Sequence, residues 1–381
     1  MRILHTADWH LGKKLGRIDR RVEFEQVLDE IVAIAKDQKV DLTVVSGDLL
    51  DRAMPQWDAL GLAIEGLVRL AEASGHLVAM PGNHDSAELF KLLGPLMSAS
   101  SVTLVPRVTR PELGGVVEVS SRDGSETASV AVLPFLNEAE VIDFMDAPAE
   151  GFKTYADKIR LLNKFLCDGL DPKTVGILVG HFFVAGAVLG GGERTIHIGP
   201  QYAATPQSIP PGVHYAALGH IHKPQAIAGS PVPARYCGSL LQLDFSERTH
   251  GKEVVVVEAS VGRPAKVRQI PLSSGRRLIR VEESLDGLES RVEELGDAYL
   301  DVRVKTEGPV FGILEQVRRI LPNAVMAQAV WERAEEQELI AVEDRTLAEA
   351  YGEFHISPRG HGVAAPAELL KIVRDLEDAT A

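Results

Sequence analysis

Five short blocks of this chain combine Asp, Asn and His side chains at close spacing. In chain order they are Asp8-Trp9-His10, Gly47-Asp48, Gly82-Asn83-His84-Asp85, Gly180-His181 and Gly219-His220-Ile221-His222. Carboxylate, amide and imidazole groups suit divalent metal ions, and neither cysteine lies in a block. Two such ions about 3.5–4 Å apart activate a water and neutralise charge on the oxygens of a phosphate ester. The blocks therefore predict a two-metal site for phosphoester hydrolysis.

Each block taken alone has a plainer interpretation. An Asp-x-His pair is most often a loop pair, and Gly-Asp at a strand end is most often a turn. Gly-Asn-His-Asp is more specific, because Gly and Asn favour an unusual backbone while His and Asp add chemistry. The two-metal prediction depends on all five blocks occurring in this order. Because side chains at i and i+2 of a strand share a face, we expect Asp8 and His10 to point the same way, as His220 and His222 do.

The residues beside the ligand blocks suggest further roles. If Asn83 is a ligand, its neighbour His84 projects elsewhere, toward the substrate, where an imidazole can act as general acid. Asp51 is a candidate for orienting His84 by accepting its second ring proton. Arg52 is a candidate for clamping a phosphate oxygen. Asp48, at the end of its own strand, is placed to reach between two ions.

The helices and strands that must position these blocks are predicted to form an α/β fold. Apolar spacing predicts helices over 22–36 and 57–73 and strands over 2–7, 41–46 and 77–80. Each of the first blocks follows a predicted strand, and ligands usually bind at the carboxyl ends of strands in such sheets. Shorter strands separated by Gly-rich turns follow from residue 102. This pattern predicts two mixed β-sheets packed face to face with helices outside.

The chain is predicted to have three parts. Residues 1–274 contain all five blocks and form the catalytic domain. After a linker at 271–275, a strand–helix–strand–helix–strand pattern predicts a small α/β domain over 275–335. The remainder, 336–381, is weakly patterned except for an amphipathic helix predicted over 364–376. A tail of that size either packs back or docks on a partner.

Charge and composition narrow the function only in part. The 381 residues carry a net charge of −14, and residues 281–381 alone hold 22 acidic and 10 basic side chains. A basic cluster follows the first block and consists of Lys13, Lys14, Arg17, Arg20 and Arg21. We expect this cluster to contact DNA phosphates in a salt-dependent way, although a solvated loop is the simpler interpretation. Two cysteines, no signal-like segment and no long apolar run predict a cytoplasmic protein without membrane segments.

The five blocks together resemble the calcineurin-like metallophosphoesterase superfamily. Within it, segments 4–12 and 236–247 are similar to the SbcD family, the nuclease subunits of bacterial SbcCD DNA repair complexes. The resemblance covers residues 1–275 and implies the calcineurin-like metallophosphoesterase fold. The small α/β domain is similar in position and size to the capping domain of that family, but carries no specific motif.

The resemblance implies a role for each site residue. One ion would be held by Asp8, His10, Asp48 and His222. The other would be held by Asp48, Asn83, His181 and His220, so that Asp48 bridges the two. His84 would act on the leaving group. Asp51-Arg52 is closer to the protein-phosphatase version of its motif, which leaves these two residues as secondary candidates.

The resemblance also implies cofactors and partners. The ions would be Mn²⁺, with Mg²⁺ as the other candidate. The substrates would be double-stranded DNA ends, hairpins and single-stranded DNA in repair, recombination and replication. The partner would be an SbcC-type ATPase, bound to a homodimer of this chain within a nucleoid-associated heterotetramer. The helical segments 22–36 and 60–70 are candidates for the dimer surface, but apolar spacing does not distinguish an interface from a core face.

Two alternatives remain open from the sequence. One is another enzyme of the same superfamily, such as a cyclic-nucleotide phosphodiesterase, a nucleotide pyrophosphatase or a protein phosphatase, in which the site would be identical. The other is a scaffold that kept the fold and lost catalysis. A scaffold is expected to lack ligands, whereas this chain has all seven and His84.

Overall fold

The computed structural model describes residues 1–136, 154–193, 202–331, 346–357 and 363–380. Two compact units divide the chain, Met1–Val330 and Trp331–Ala381. Within the predicted tail, residues 336–345, 358–362 and 381 lie outside the described residues, as do residues 332–335 of the predicted small domain. The predicted boundaries at 274/275 and 335/336 stay predictions.

The strands and helices of the described residues are numbered in chain order. The strands are β1 (Arg2–Thr6), β2 (Leu42–Ser46), β3 (His76–Met80), β4 (Val102–Leu104), β5 (Val116–Ser120), β6 (Thr127–Leu133), β7 (Val175–His181), β8 (Tyr215–Gly219), β9 (Gln225–Ala226), β10 (Ala234–Tyr236), β11 (Glu253–Ser260), β12 (Arg263–Pro271), β13 (Leu278–Glu283), β14 (Tyr299–Lys305) and β15 (Ala324–Val330). The helices are α1 (Arg21–Asp37), α2 (Trp57–Ser74), α3 (Ala87–Met97), α4 (Tyr155–Asp168), α5 (Leu285–Glu289), α6 (Val292–Leu295), α7 (Ile313–Ile320), α8 (Leu347–Ile356) and α9 (Ala367–Thr380).

Two six-stranded mixed sheets form the body of the first unit. Their strand orders are β12-β11-β1-β2-β3-β4 and β5-β6-β7-β8-β10-β9. One apolar core contains side chains from both sheets, among them Ile3, Val44, Val130 and Ile177. The predicted fold class, two packed mixed sheets flanked by helices, is confirmed.

The runs of β-branched residues explain why the central strands are buried on both faces. β2 and β7 are buried along their whole length, as is typical of strands covered on both sides. β1, β2 and β3 run parallel, so their carboxyl ends lie at one edge of the first sheet. β7 and β8 are parallel neighbours in the second sheet and end at ligand blocks themselves. The candidate site therefore lies where the strand ends of two sheets converge.

Helices α1 and α2 lie against the first sheet and against each other. Their apolar faces belong to the core, where Leu28 of α1 lies beside Gly66 of α2. These apolar faces are therefore core faces, and a dimer surface on the two helices stays a prediction. Helix α3 has no counterpart in the sequence prediction. It begins where the Ser86 hydroxyl accepts a hydrogen bond from Leu89 N at 3.3 Å.

A third sheet, in the order β13-β14-β15, has a core of its own with helices α5 to α7. The first helix of the predicted strand–helix–strand–helix–strand pattern is two short helices instead. The Ser290 hydroxyl donates to the Gly287 carbonyl at 2.7 Å, a local bond that competes with continuation of the helix. We call β13 to β15 with α5 to α7 the small domain below.

The second unit contains two described helices, α8 and α9. The helix predicted over 364–376 is confirmed as α9. Helix α8 was not predicted, although Thr346 and Glu349 form a capping box that marks its start in the sequence. Among the described helices, none combines the length and the apolar composition required to cross a bilayer.

Candidate metal centre

The ligand blocks lie in turns with unusual backbone geometry. Asp8, His10, Asp48 and His220 have φ angles of 52°, 49°, 52° and 100°, in the left-handed region that side chains other than glycine rarely adopt. Asp8 and His10 lie beyond the end of β1, in this turn, so the predicted strand alternation does not set the directions of their side chains. Backbone strain of this kind costs about 1–3 kcal/mol per residue and is concentrated at functional sites.

Two glycines allow these turns to approach one another closely. A Cβ atom on Gly82 would lie 2.2 Å from Asp48 Oδ1, and one on Gly47, whose φ is 92°, would lie 2.3 Å from His181 Nδ1. No side chain fits in either space. The glycines of the motifs are therefore required by the close contact between turns that carry ligands.

Gly82→Ala is expected to abolish metal binding, because the added methyl group must displace the carboxylate of Asp48. Isothermal titration of the purified variant with Mn²⁺ measures this directly. Gly94→Ala is the matched control, since a Cβ at that helical position meets nothing within 4 Å. The control should bind metal normally and gain about 0.5–1 kcal/mol of stability from the better helix former. Normal metal binding by Gly82→Ala would contradict the steric argument.

All seven predicted ligands converge on one site. Asp48 lies at its centre, with Oδ2 3.6 Å from His10 Nε2 and 3.4 Å from His181 Nε2. On one side, His10 Nε2 is 3.0 Å from His222 Nε2. On the other side, Asn83 Oδ1 is 3.0 Å from His181 Nε2 and 2.8 Å from His220 Nδ1. The six charged or imidazole ligands are at most 2% exposed, and Asn83 is half-buried.

The observed groups only partly follow the predicted ion shells. Ligand atoms of Asp8, Asp48 and His181 lie within 4.8 Å of one another, as do those of His10, Asp48 and His84. Asp48 belongs to both groups, as a bridging ligand would. Asp8, predicted for the shell of His10, lies close to His181, and its Oδ1 accepts a hydrogen bond from His220 N at 2.9 Å. His84 lies within ligand distance, so its role outside both shells stays a prediction.

The residues present fit a pair of divalent ions. Within the described residues, Asp8 Oδ2 is buried and has no hydrogen-bond partner, which is costly unless a cation lies nearby. His222 carries its proton on Nδ1, because that atom lies 2.9 Å from a carboxylate oxygen. In the neutral ring Nε2 then presents a lone pair toward His10. Convergent lone pairs and a buried carboxylate oxygen are what a metal ion requires.

Burial and mutual charge set the protonation of the site. Burial raises the pKa of Asp8 to about 6. Burial opposes ionisation of Asp48 as well, but the charges of His181 and His10 hold the pKa of Asp48 well below its usual range. Burial pulls the His181 pKa down, yet Asp48 raises it to about 9. Asp48 is therefore anionic near neutral pH and attracts cations.

His84 is held by the turn that carries Asp48. Its backbone N–H donates to Asp48 Oδ1 at 2.8 Å, and its Nδ1–H donates to the backbone carbonyl of Asp51 at 2.8 Å. The prediction that the Asp51 side chain orients His84 is therefore wrong, since the main chain does so. The Asp51 carboxylate instead faces Lys13 at 3.1 Å and Arg52 at 3.7 Å. The Asp51 carbonyl therefore fixes the orientation of the His84 ring through Nδ1.

Two residues that the sequence did not assign support the ligands from behind. The Ser46 carbonyl accepts a hydrogen bond from His181 Nδ1 at 2.8 Å. Asp85 accepts hydrogen bonds from the backbone N–H groups of Leu49, Leu50 and Gly82 at 2.9–3.0 Å, which ties the Asp48 turn to the Asn83 turn. Asp85 belongs to one of the five sequence blocks, but only the structure shows which backbone N–H groups its carboxylate binds.

The basic cluster is only partly available to a substrate. Arg20 is 1% exposed and is bound to Glu23 and to the Gln242 carbonyl, so the prediction that it contacts DNA is wrong. Lys14 and Arg52 instead border a cavity of about 210 Å³ that also touches Leu11 and Asp51. A positively charged cavity thus adjoins the metal site.

Comparison with known proteins identifies the relatives of this chain. Residues 1–224 match the family model described as calcineurin-like phosphoesterase. The chain is 30% identical to the SbcD component of the SbcCD nuclease of Bacillus subtilis, over 99% of this chain and 97% of that protein. It is 28% identical to the same component from Escherichia coli K12, over 92% of this chain and 90% of that protein. It is 30% identical to that from Rhodobacter capsulatus, over 81% and 78% of the two chains.

Proposed function

Because this chain belongs to the calcineurin-like phosphoesterase family, and within it to the SbcD nucleases, we propose that it cuts DNA with an SbcC-type ATPase. It is a metal-dependent phosphodiesterase of the nuclease type. In our proposal the two ions are Mn²⁺, with Mg²⁺ as a substitute. The reaction processes double-stranded ends, hairpins and single-stranded DNA during repair, recombination and replication.

The observation that supports this function best is the convergence of seven ligand side chains around Asp48. Its oxygen lies within 3.6 Å of imidazole nitrogens on both sides. In our proposal Asp8, His10, Asp48 and His222 hold one ion, and Asp48, Asn83, His181 and His220 hold the other. When bound, the ions supply an activated water and neutralise charge on the phosphate.

The residues of the chain perform the remaining steps. His84, oriented by the Asp51 carbonyl, donates a proton through Nε2 to the leaving oxygen of the scissile phosphodiester. Asp48 fixes the His84 main chain, so the acid and the ligand turn keep one relative position. Burial excludes water from these groups and strengthens their mutual electrostatic interactions.

The cavity beside the site supports DNA as the substrate. Lys14 and Arg52 line it and can neutralise a phosphate next to the one being cut. Contacts of this kind depend on ionic strength and carry no sequence information. A compact phosphatase of the superfamily would not need the small domain and the tail, and a scaffold would not retain a complete set of ligands.

Partner assembly is also proposed. Leu92 and Leu96, one turn apart on α3, are each 71% exposed. Exposed apolar side chains at this spacing suit a homodimer contact, which would give a heterotetramer with two ATPase subunits. We propose that the complex works in the cytoplasm in association with the nucleoid.

Deleting residues 336–381 is expected to weaken association with the ATPase subunit by at least about tenfold, the effect of losing about 1.4 kcal/mol of contact. This region includes α8 and α9, in which Phe354, Ile356 and Ile372 are more than half exposed. Co-purification of the tagged full-length and truncated chains with the ATPase measures the loss. Turnover of bis-(p-nitrophenyl) phosphate should stay unchanged, which controls for folding. Unchanged co-purification would contradict the role of the tail.

A panel of DNA substrates tests the function as a whole. Linear duplex, hairpin and covalently closed circular DNA are incubated with Mn²⁺, with and without the ATPase subunit and ATP. The proposal predicts cleavage of linear and hairpin DNA, increased by the partner and ATP. Cleavage of no DNA, together with rapid turnover of a cyclic nucleotide, would instead favour the small-molecule phosphodiesterase alternative.

A further inference from the structure

A buried network of charged groups lies behind His222. The Glu247 carboxylate is fully buried and accepts from His222 Nδ1 at 2.9 Å and from Lys252 Nζ at 2.7 Å. Its Oε2 also accepts from Leu243 N at 3.2 Å and from Ser239 Oγ at 3.3 Å. Both carboxylate oxygens are thus hydrogen-bonded and the charge is balanced by Lys252, so Glu247 can remain ionised in the interior.

This network determines how the His222 ring is presented. With the proton held on Nδ1 by a carboxylate, the lone pair of Nε2 is directed into the metal site. A carboxylate that is hydrogen-bonded to Nδ1 also makes Nε2 a stronger metal ligand. Lys252 in addition donates to the His222 carbonyl at 3.1 Å, so the backbone of His222 is held by the same network.

The turn that carries Glu247 is anchored to the small domain. Phe245 is 3% exposed and packs in one apolar cluster with Leu278, Tyr299 and Val325, which belong to the three strands of that domain. Gln242 accepts from Leu278 N at 2.9 Å and donates to the Glu247 carbonyl at 3.2 Å. The position of Glu247 therefore depends on two residues that contact the small domain.

We propose that Glu247 is a positioning residue for His222, and that the turn Phe245–Glu247 connects the small domain to the metal centre. This inference rests on the proposed function only in that His222 binds an ion. Glu247 bonds His222 at Nδ1, not at the nitrogen that faces the other ligands. Its effect is to fix the orientation and the tautomer of the His222 ring.

The test is Mn²⁺ binding by Glu247→Gln, measured by calorimetry in the full chain. The amide keeps the size of the side chain but removes the negative charge. One of the two ions should bind about 10–100-fold more weakly and the other should be unchanged, as for other supporting carboxylates. Glu253→Gln is the matched control, because Glu253 pairs with Arg235 at 2.9 Å and contacts no ligand. It should bind both ions normally.

A second measurement needs no variant. At a pH at which the ring is neutral, the nitrogen-15 shifts of His222 in the metal-free protein should show a proton on Nδ1 and none on Nε2. The opposite tautomer, or unchanged affinity for both ions in folded Glu247→Gln, would overturn the proposal. If Glu247→Gln does not fold, the tautomer of His222 in the wild-type protein is the test of the proposal. Failure of the wild-type chain to bind two ions would instead count against the proposed function.

Discussion

Asp48→Ala is expected to lose both metal ions and nearly all activity. Asp48 is the residue whose carboxylate lies close to imidazoles on both sides, at 3.6 Å from His10 and 3.4 Å from His181. Removing it takes one ligand from each proposed shell and the charge that attracts the cations. The ions contribute several kcal/mol to the transition state, so kcat should fall by at least about a thousandfold.

Metal analysis of the purified proteins by mass spectrometry measures the loss. Asp8→Ala is the comparison within the site, because it removes one carboxylate from a single shell and should mainly weaken one ion. Asp123→Ala is the control outside the site, since that carboxylate bonds Ser121 and Ser125 in a surface turn. If Asp48→Ala retains two ions, Asp48 does not bridge them.

His84→Ala is expected to keep both ions but to lose about 10²- to 10⁴-fold in kcat on DNA, the usual contribution of a general acid. The alkoxide leaving group of DNA requires a proton, whereas p-nitrophenolate is a stable anion. The loss should therefore be much smaller on bis-(p-nitrophenyl) phosphate. The ratio of the two losses measures the acid role directly.

His76→Ala is the control, because it removes a half-buried imidazole outside the site. His76 bonds Thr103 at 2.9 Å at the opposite end of β3, away from the ligand turns. The activity of His76→Ala on both substrates should match that of the wild type. An equal loss on DNA and on bis-(p-nitrophenyl) phosphate in His84→Ala, or the loss of an ion, would assign His84 to metal binding instead.

The sequence predicted the parts of the fold and site that depend on local pattern. Helical spacing located α1 and α2, and short apolar runs located β2 and β3, within one residue of their bounds, because their apolar side chains pack in the cores. The ligand types and their order at strand ends predicted which seven side chains converge. These features depend on residues that lie close together in the sequence.

What the sequence could not predict depends on contacts across the fold. The left-handed backbone of Asp8 and Asp48 follows from turns that bond to each other, Asp8 N to Gly47 O at 3.0 Å. Arg20 looks like a surface charge, but Glu23 and Gln242 bury it. Glu247 stands 25 residues from the ligand it supports. No spacing rule links such pairs, and only the packed structure brings them together.

The central claim is that two ions in this pocket hydrolyse DNA. Single-turnover cleavage of an end-labelled duplex, followed while Mn²⁺ is added to the metal-free protein in molar equivalents, tests it most directly. The account predicts little cleavage at one equivalent, a steep rise toward two and no further increase beyond two. A full rate at one equivalent, or intact DNA at saturating Mn²⁺, would contradict it.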